Sequence, residues 1–430
     1  MPAERLWVVR GDDVVADLDR AEDRTLSVKY RAAIVDREPG APVLSVSLPA
    51  RTETYNAAEL LPFFDGLLPE GRARDRIAAE RRLDPSDTFG MLREIGRDNA
   101  GALSIVPEGT DLVAVREEGV VWLTDEELLR EIDRLAERPL AVNPAQGIRI
   151  SLAGVQDKMA VVRTADGHVG LPRGTQPTTH ILKPASTERR GRRDDRLAYP
   201  GLVANEAFCS LLGRRAGLTT TNVEVRDVAG ETVLYSERYD RTVVDGTIQR
   251  LHQEDFCQAL GLRTDAKYEA HGGPKVADYL KLLANWSSNV PVDQAEIVDR
   301  VGFSYLVGNA DAHAKNHSLL YATGGVRLAP AYDLVSTYAY SQLDPLMANS
   351  INGMFDANAL QAVHWRKWLE QLGLSVRLYS DRLGQLAQRV EAALPDTQAE
   401  AAAWNVPDAP LDKIAALVQS RSKVLQAVRQ

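Results

Sequence analysis

Asp311 and Asn316 stand five residues apart inside a dense polar stretch, Gly308-Asn309-Ala310-Asp311-Ala312-His313-Ala314-Lys315-Asn316-His317-Ser318. D-x-x-x-x-N is the spacing of a phosphoryl-transfer loop, in which the Asp takes the acceptor hydroxyl's proton and the Asn holds a magnesium ion. Downstream, Leu328-Ala329-Pro330-Ala331-Tyr332-Asp333 ends an apolar, strand-like run on an Asp, where a second magnesium ligand belongs. An Asp and an Asn in a loop also cap ordinary turns, so the pair alone leaves a structural reading open. His313 and His317 would face one metal on a helix, but the zincin motif needs a Glu beside the first His, and Ala314 stands there.

The same chemistry needs partners upstream, and the chain offers candidates. Ile148 to Val162 reads as a strand, a tight polar loop around Gly154 and a returning strand, a hairpin able to lay backbone N–H groups over phosphates. An ordinary hairpin fits the same pattern. Thr178-Thr179-His180-Ile181-Leu182-Lys183-Pro184 closes an apolar strand on a lysine, as the phosphate-binding strand of a kinase does. Glu206, in the first turn of a helix predicted from Val203 to Ala216, is either a solvated carboxylate or the partner of Lys183. Thr232 to Arg241 starts apolar and ends charged, which suits an adenine hinge; Arg238 and Arg241 suit structural ion pairs equally. The pattern G-x-x-x-x-G-K-S/T is absent, which argues against a P-loop enzyme.

These residues need a scaffold, and the chain is long enough for one. Its 430 residues, 44% hydrophobic and 26% charged, describe a globular protein of two or three domains. A net charge of −9 excludes a chain-wide nucleic-acid binder. The basic run Arg189 to Arg196 is a solvated loop or a local contact for phosphate, DNA or an acidic partner. Neither a leader pattern nor a membrane-spanning apolar run is seen. Cys209 and Cys257 lie in apolar helical patterns, as buried thiols of a reducing cytoplasm do.

Short strands are predicted at Leu6–Val9, Val14–Ala16, Leu26–Tyr30 and Val43–Leu48, with turns at Gly11-Asp12-Asp13 and Glu38-Pro39-Gly40. Helical periodicity follows from residue 57, and Asp84 to Asp87 caps a helix. A strand runs from Ala102 to Val106, and Thr124 caps a helix from Asp125 to Glu137. Prolines and lost periodicity place a domain boundary at Arg138 to Gln146. Helices are predicted from Glu254 to Leu260, Val276 to Trp286 and Val298 to Val307. Residues 336 to 356 show little pattern, and the remainder is helical from Leu360, Val376 and Leu411 onward.

Taken together, the motifs resemble the HipA-type toxin kinases of bacterial toxin–antitoxin operons. The resemblance rests on Ile150 to Lys158, Thr179 to Lys183, Glu237 to Arg241, Gln253 to Gly261, Asp311 to Asn316 and Tyr332-Asp333, in family order. Leu61 to Gly71 and Gly101 to Leu103 extend it into the N-terminal part. It implies an α+β, two-lobed protein-kinase-like fold related to phosphatidylinositol kinases. An N-terminal β-rich subdomain (1–145) would precede a catalytic region (146–430) with a mainly helical C-terminal lobe. It further implies a cytoplasmic, ATP- and Mg²⁺-dependent serine/threonine kinase. Asp311 would be the base, with Asn316 and Asp333 on magnesium. Ser151, Ala153, Gly154, Val155, Gln156, Lys158, Lys183, Glu237, Arg238, Tyr239, His313 and Lys315 would line the nucleotide, and Ser151 would be autophosphorylated. The implied partners are a HipB-like helix-turn-helix antitoxin, operator DNA reached through it, and an aminoacyl-tRNA synthetase as substrate. Ala312 and Tyr239 depart from residues common in the family, and neither removes a required charge.

Overall fold

The computed structural model describes residues 4–116, 119–135, 139–140, 157–185, 199–244, 247–404, 406 and 409–429. Ser151, Ala153, Gly154, Val155 and Gln156 of the expected phosphate loop lie outside the described residues. So do the basic run Arg189–Arg196 and most of the expected boundary at 138–146. The chain divides into two compact units. The first comprises Met1–Lys183, Glu237–Asp265 and Ser318–Thr323; the second comprises Pro184–Ser236, Ala266–His317 and Gly324–Gln430.

The first unit begins with an antiparallel sheet in which Tyr55–Asn56, Leu26–Tyr30, Asp13–Arg20, Glu4–Arg10 and Leu103–Pro107 lie side by side. Leu6 faces Leu18, and Leu18 faces Val28, so one register buries a continuous apolar row. Gly11, at φ +61, supplies the tight turn between the first two strands. Ala57–Gly66 is a helix because Asn56 and Glu59 close a reciprocal capping box ahead of Leu60, Phe63 and Phe64, all buried. The predicted strand at Val43–Leu48 is instead a turn with a bridge between Ser45 and Leu48. There the Tyr30 hydroxyl donates to Leu48 O and accepts from Leu44 N, which satisfies backbone groups a ladder would otherwise pair.

A second antiparallel set in this unit runs Val120–Leu123, Val169–Pro172, Met159–Arg163 and His180–Pro184. His252–Asp255 pairs with Ser318–Ala322. The predicted helix from Glu254 therefore starts later: Asp255 ends the strand and caps a short helix, Phe256–Ala259.

The second unit is mainly helical. Leu202–Arg215 and Val276–Trp286 match the predicted spans closely. The helix expected from Val298 starts at Val290, because Pro291 sits in its first turn, where a missing N–H costs nothing. Val376–Ala401 and Ala409–Ala427 complete the core. A Cβ on Gly302 would lie 2.8 Å from Leu383, so a bare glycine sets how closely Val290–Val307 meets Val376–Ala401. The unpatterned stretch contains a hairpin, Leu346–Ile351 with Met354–Asp356. Its turn is Asn352-Gly353, both residues with positive φ.

Candidate active site

The polar stretch at Asp311 begins where a helix must stop. Gly308, at φ +74, ends Val290–Val307, and its N–H bonds back to Ser304 O and Tyr305 O. Asn309 N donates to Ser304 O at 2.8 Å, which completes a Schellman-type end. A side chain on Gly308 would press on Tyr338, whose Cβ would be 2.8 Å from the added carbon. The loop is then held from a second segment. Ala310 N donates to Thr337 Oγ1 at 2.8 Å, and Tyr338 N donates to Gly308 O at 3.1 Å. Arg421, on the last helix, donates to Tyr305 O at 2.6 Å and stacks over Tyr338 with its guanidinium 4.3 Å from the ring centre.

On this base Asp311 presents a side chain that is 53% exposed. Its backbone N–H donates to Asn309 Oδ1 at 3.0 Å. Its carbonyl accepts from Asn316 Nδ2 at 2.8 Å, which fixes the Asn316 amide with the nitrogen inward and the oxygen as its remaining lone-pair group. The Tyr268 hydroxyl donates to Asp311 Oδ1 at 2.5 Å. His313 Nε2 lies 3.9 Å from that oxygen, and burial, reinforced by the charges of Lys267 and Lys315, pushes the imidazole down to about 3. His313 is therefore neutral at physiological pH. His317, also buried, is held down to about 3, with the charge of Arg300 the next cause. Lys315 is buried within the loop.

Asp333 is placed by the residues before it. Ala331 N donates to Thr219 O and Ala331 O accepts from Thr221 N, a parallel bridge that fixes the segment on one side. On the other side the Tyr332 hydroxyl donates to Lys315 O at 2.7 Å. Asp333 itself sits at φ +51, a left-handed conformation that Asp tolerates better than most residues. Its charge acts on His313, so Asp311, His313, Lys315, Asn316 and Asp333 are gathered in one unit. Asn316 and Asp333 offer oxygen donors only, the set that suits magnesium.

The other predicted positions fall into two groups. In the first unit, Met159 pairs with Leu182, so the next register step sets Lys158 opposite Lys183; both are buried. Burial pushes the Asp157 carboxyl up against the opposing pull of Arg76 and Arg72 on the helix Gly71–Arg81. Glu237 is exposed, and the Tyr239 hydroxyl donates to Gln253 Oε1 at 2.8 Å. Arg238 takes the structural alternative: its guanidinium is buried against Asp240, Thr178 and Asp98, and its N–H donates to Thr179 O. In the second unit, Glu206 is 2% exposed, which removes the reading of a solvated surface carboxylate. Tyr268 and Thr337 were not singled out from sequence; they lie 43 and 26 positions from Asp311, without a local signal.

A mixed α and β chain with a phosphotransfer-type loop between a helix and a strand defines a kinase-like class, and comparison with known proteins narrows it. Residues 6–106 match the HipA N-terminal domain, and residues 150–394 match the HipA-like C-terminal domain. The chain belongs to the HipA family. It is 35% identical over 417 residues to the Sinorhizobium fredii protein Y4mE, covering 96% of each chain. It is 29% identical over 355 residues to the serine/threonine-protein kinase toxin HipA of Shewanella oneidensis, covering 80% of this chain and 78% of that one. The structure of HipA from Shewanella oneidensis, solved with HipB and its operator DNA, superposes with a TM-score of 0.83 at 26% identity over 99% of both chains. The α+β, kinase-like fold expected from sequence is thus the fold of this chain. Among the described residues no helix is long and apolar enough to cross a membrane.

Proposed function

We propose that this chain is an ATP- and Mg²⁺-dependent serine/threonine protein kinase toxin, with residues 1–145 as its N-terminal subdomain and 146–430 as its catalytic region. The observation that carries the reading is the Asp311 loop, in which an exposed carboxylate, an oriented Asn316 amide and Asp333 are tied to one another by Tyr332 and the loop's own backbone bonds. When bound, Mg²⁺-ATP supplies the phosphoryl group and neutralises its developing charge. Asp311 receives the acceptor hydroxyl's proton, and Asn316 and Asp333 give oxygens to the metal. Lys158 and Lys183, with Lys315 and His313, serve the phosphates, while Glu237, Arg238 and Tyr239 form the adenine hinge through their backbone. With the Arg238 N–H turned to Thr179 O, that hinge works through the groups on either side of it.

The substrate we propose is an aminoacyl-tRNA synthetase, whose phosphorylation halts translation in the cytoplasm. The regulators are a HipB-like antitoxin, which brings the chain to operator DNA, and autophosphorylation of Ser151, which places a doubly charged group against the nucleotide phosphates. The relative solved with HipB and operator DNA supports the partner assignment. The test is intact mass and peptide mapping before and after Mg²⁺-ATP, beside Asp311→Asn. One added phosphate on Ser151 in the wild type alone is the expected result. A sample that starts unmodified, binds ATP and gains nothing would overturn the self-modification and favour a catalytically idle co-repressor. Asp333→Ala should weaken Mg²⁺-ATP binding by about tenfold or more, read by titration calorimetry; unchanged affinity removes its ligand role.

A further inference from the structure

An exposed aspartate sweeps several rotamers, whereas a general base must hold one to receive a proton in a developing transition state. Asp311 is such an aspartate, and one side chain from a distant stretch of the same unit reaches it. The Tyr268 hydroxyl donates to Asp311 Oδ1 at 2.5 Å. The ring is fixed as well: its edge meets His313, with centroids 5.0 Å apart and planes at 82°, and also meets His271 at 5.7 Å.

The loop that carries Tyr268 is itself anchored on each flank. Lys267 O accepts from Ala314 N at 3.3 Å, which joins the loop to the Asp311 stretch. The Glu269 carboxylate accepts from Ser350 N and Ser350 Oγ, both at 2.7 Å, which joins it to the strand Leu346–Ile351. Asn349 Nδ2 donates to Pro274 O at 3.2 Å. Within the loop, His271 N and Gly273 N both donate to Tyr268 O. A Cβ on Gly273 would lie 2.6 Å from that carbonyl oxygen, so the closure requires a glycine there.

We propose that Tyr268 is the positioning residue of the base, a role that rests on the kinase reading above. It engages one carboxylate oxygen, Oδ1, so that the other, Oδ2, is the one aimed at the acceptor. In the transfer step the acceptor oxygen bonds to the γ-phosphorus, the bond from that phosphorus to the bridging oxygen breaks, and ADP departs with its electron pair. The acceptor's proton moves to Oδ2, and Tyr268 keeps its own proton throughout. A hydroxyl is suited to this: it donates to the carboxylate without adding a charge that would neutralise it, as Lys or Arg would.

The test uses the full chain, Mg²⁺ and γ-labelled ATP, with transfer to the chain itself as the readout. Four proteins are compared: wild type, Tyr268→Phe, Asp311→Asn and the double variant. Phe keeps the ring against His313 and removes one oxygen. The expected result is a maximal rate lowered about tenfold or more in Tyr268→Phe, with the half-saturating ATP concentration unchanged and no further loss on adding it to Asp311→Asn. A wild-type maximal rate in Tyr268→Phe overturns the proposal. So does an equal loss in the Asp311→Asn background, since Tyr268 would then act on something other than the base. A wild type that binds ATP but transfers nothing overturns the kinase reading, and this inference with it, a result distinct from either of the others.

Discussion

Two carboxylates in this molecule, Asp98 and Asp311, are surrounded in opposite ways. Asp98, in the first unit, is buried and meets three guanidinium groups: Arg241 at 3.0 Å, Arg250 at 2.9 Å and Arg238 at 3.5 Å. Thr178 adds a hydroxyl at 2.7 Å. Burial raises its proton affinity, but Arg250, Arg238 and Arg241 together outweigh that and hold the carboxyl below its usual range. Asp311, in the second unit, is half exposed, and its carboxylate receives a neutral hydroxyl. The first arrangement fully compensates a charge and fixes structure. The second, on the kinase reading proposed above, orients a charge and leaves it able to take a proton. Density of charge in the sequence does not separate the two; what the charge is given as a partner does.

The comparison can be broken by exchanging the expected effects. Asp311→Asn should lower phosphate transfer by about 10²- to 10⁴-fold with little change in ATP affinity or melting temperature. Wild-type turnover would remove Asp311 from the chemistry. Asp98→Asn should do the reverse, costing about 3–5 kcal/mol of stability by urea unfolding, because Arg250 loses its carboxylate and Arg238 and Arg241 are left to share Asp240. A loss under 1 kcal/mol would mean that the surrounding carbonyls already suffice.

Glu254 sharpens the contrast from a third position. It is buried and receives Ser45 Oγ, Val46 N and Tyr321 Oη, with no guanidinium. Burial, the largest cause, pushes it up from an ordinary 4.5 to about 7. The native state therefore keeps this proton while the unfolded chain has lost it. The resulting stability is fully present below pH 4.5 and is lost as pH rises through about 7, a change of about 3 kcal/mol. Glu254→Gln should flatten that part of the stability–pH curve, and an unchanged slope would show that Glu254 is ionised when folded. The smallest effect is expected at Gly308→Ala, about 2 kcal/mol from the left-handed backbone and the approach to Tyr338. Retained stability would mean that the loop re-seats without its helix stop.

The parts of the site that were legible in the sequence were those whose geometry is local. Asp311 and Asn316 are joined across a single turn, so their spacing carried the information. Gly308 followed a buried apolar helix, and Lys183 closed an apolar strand, as expected. Tyr268 was illegible because its bond spans a separation with no periodic signature. Arg238 left two readings open, since whether a guanidinium is buried against Asp98 depends on a loop more than a hundred residues earlier. At Val43–Leu48 apolar alternation mimicked a strand, and a tyrosine hydroxyl took the backbone groups instead. The hairpin at Leu346–Asp356 did carry a signal in Asn352-Gly353, but Met347-Ala348-Asn349-Ser350 lacks the β-branched alternation that marks a strand.

The chain leaves its first unit after Lys183, returns at Glu237, leaves after Asp265, returns at Ser318 and leaves again after Thr323. This path constrains inheritance. A genetic crossover between two related genes anywhere from codon 184 to codon 323 joins fragments of both units from different parents, so each unit must repack against sequence it did not evolve with. Neither unit can be exchanged as one contiguous cassette.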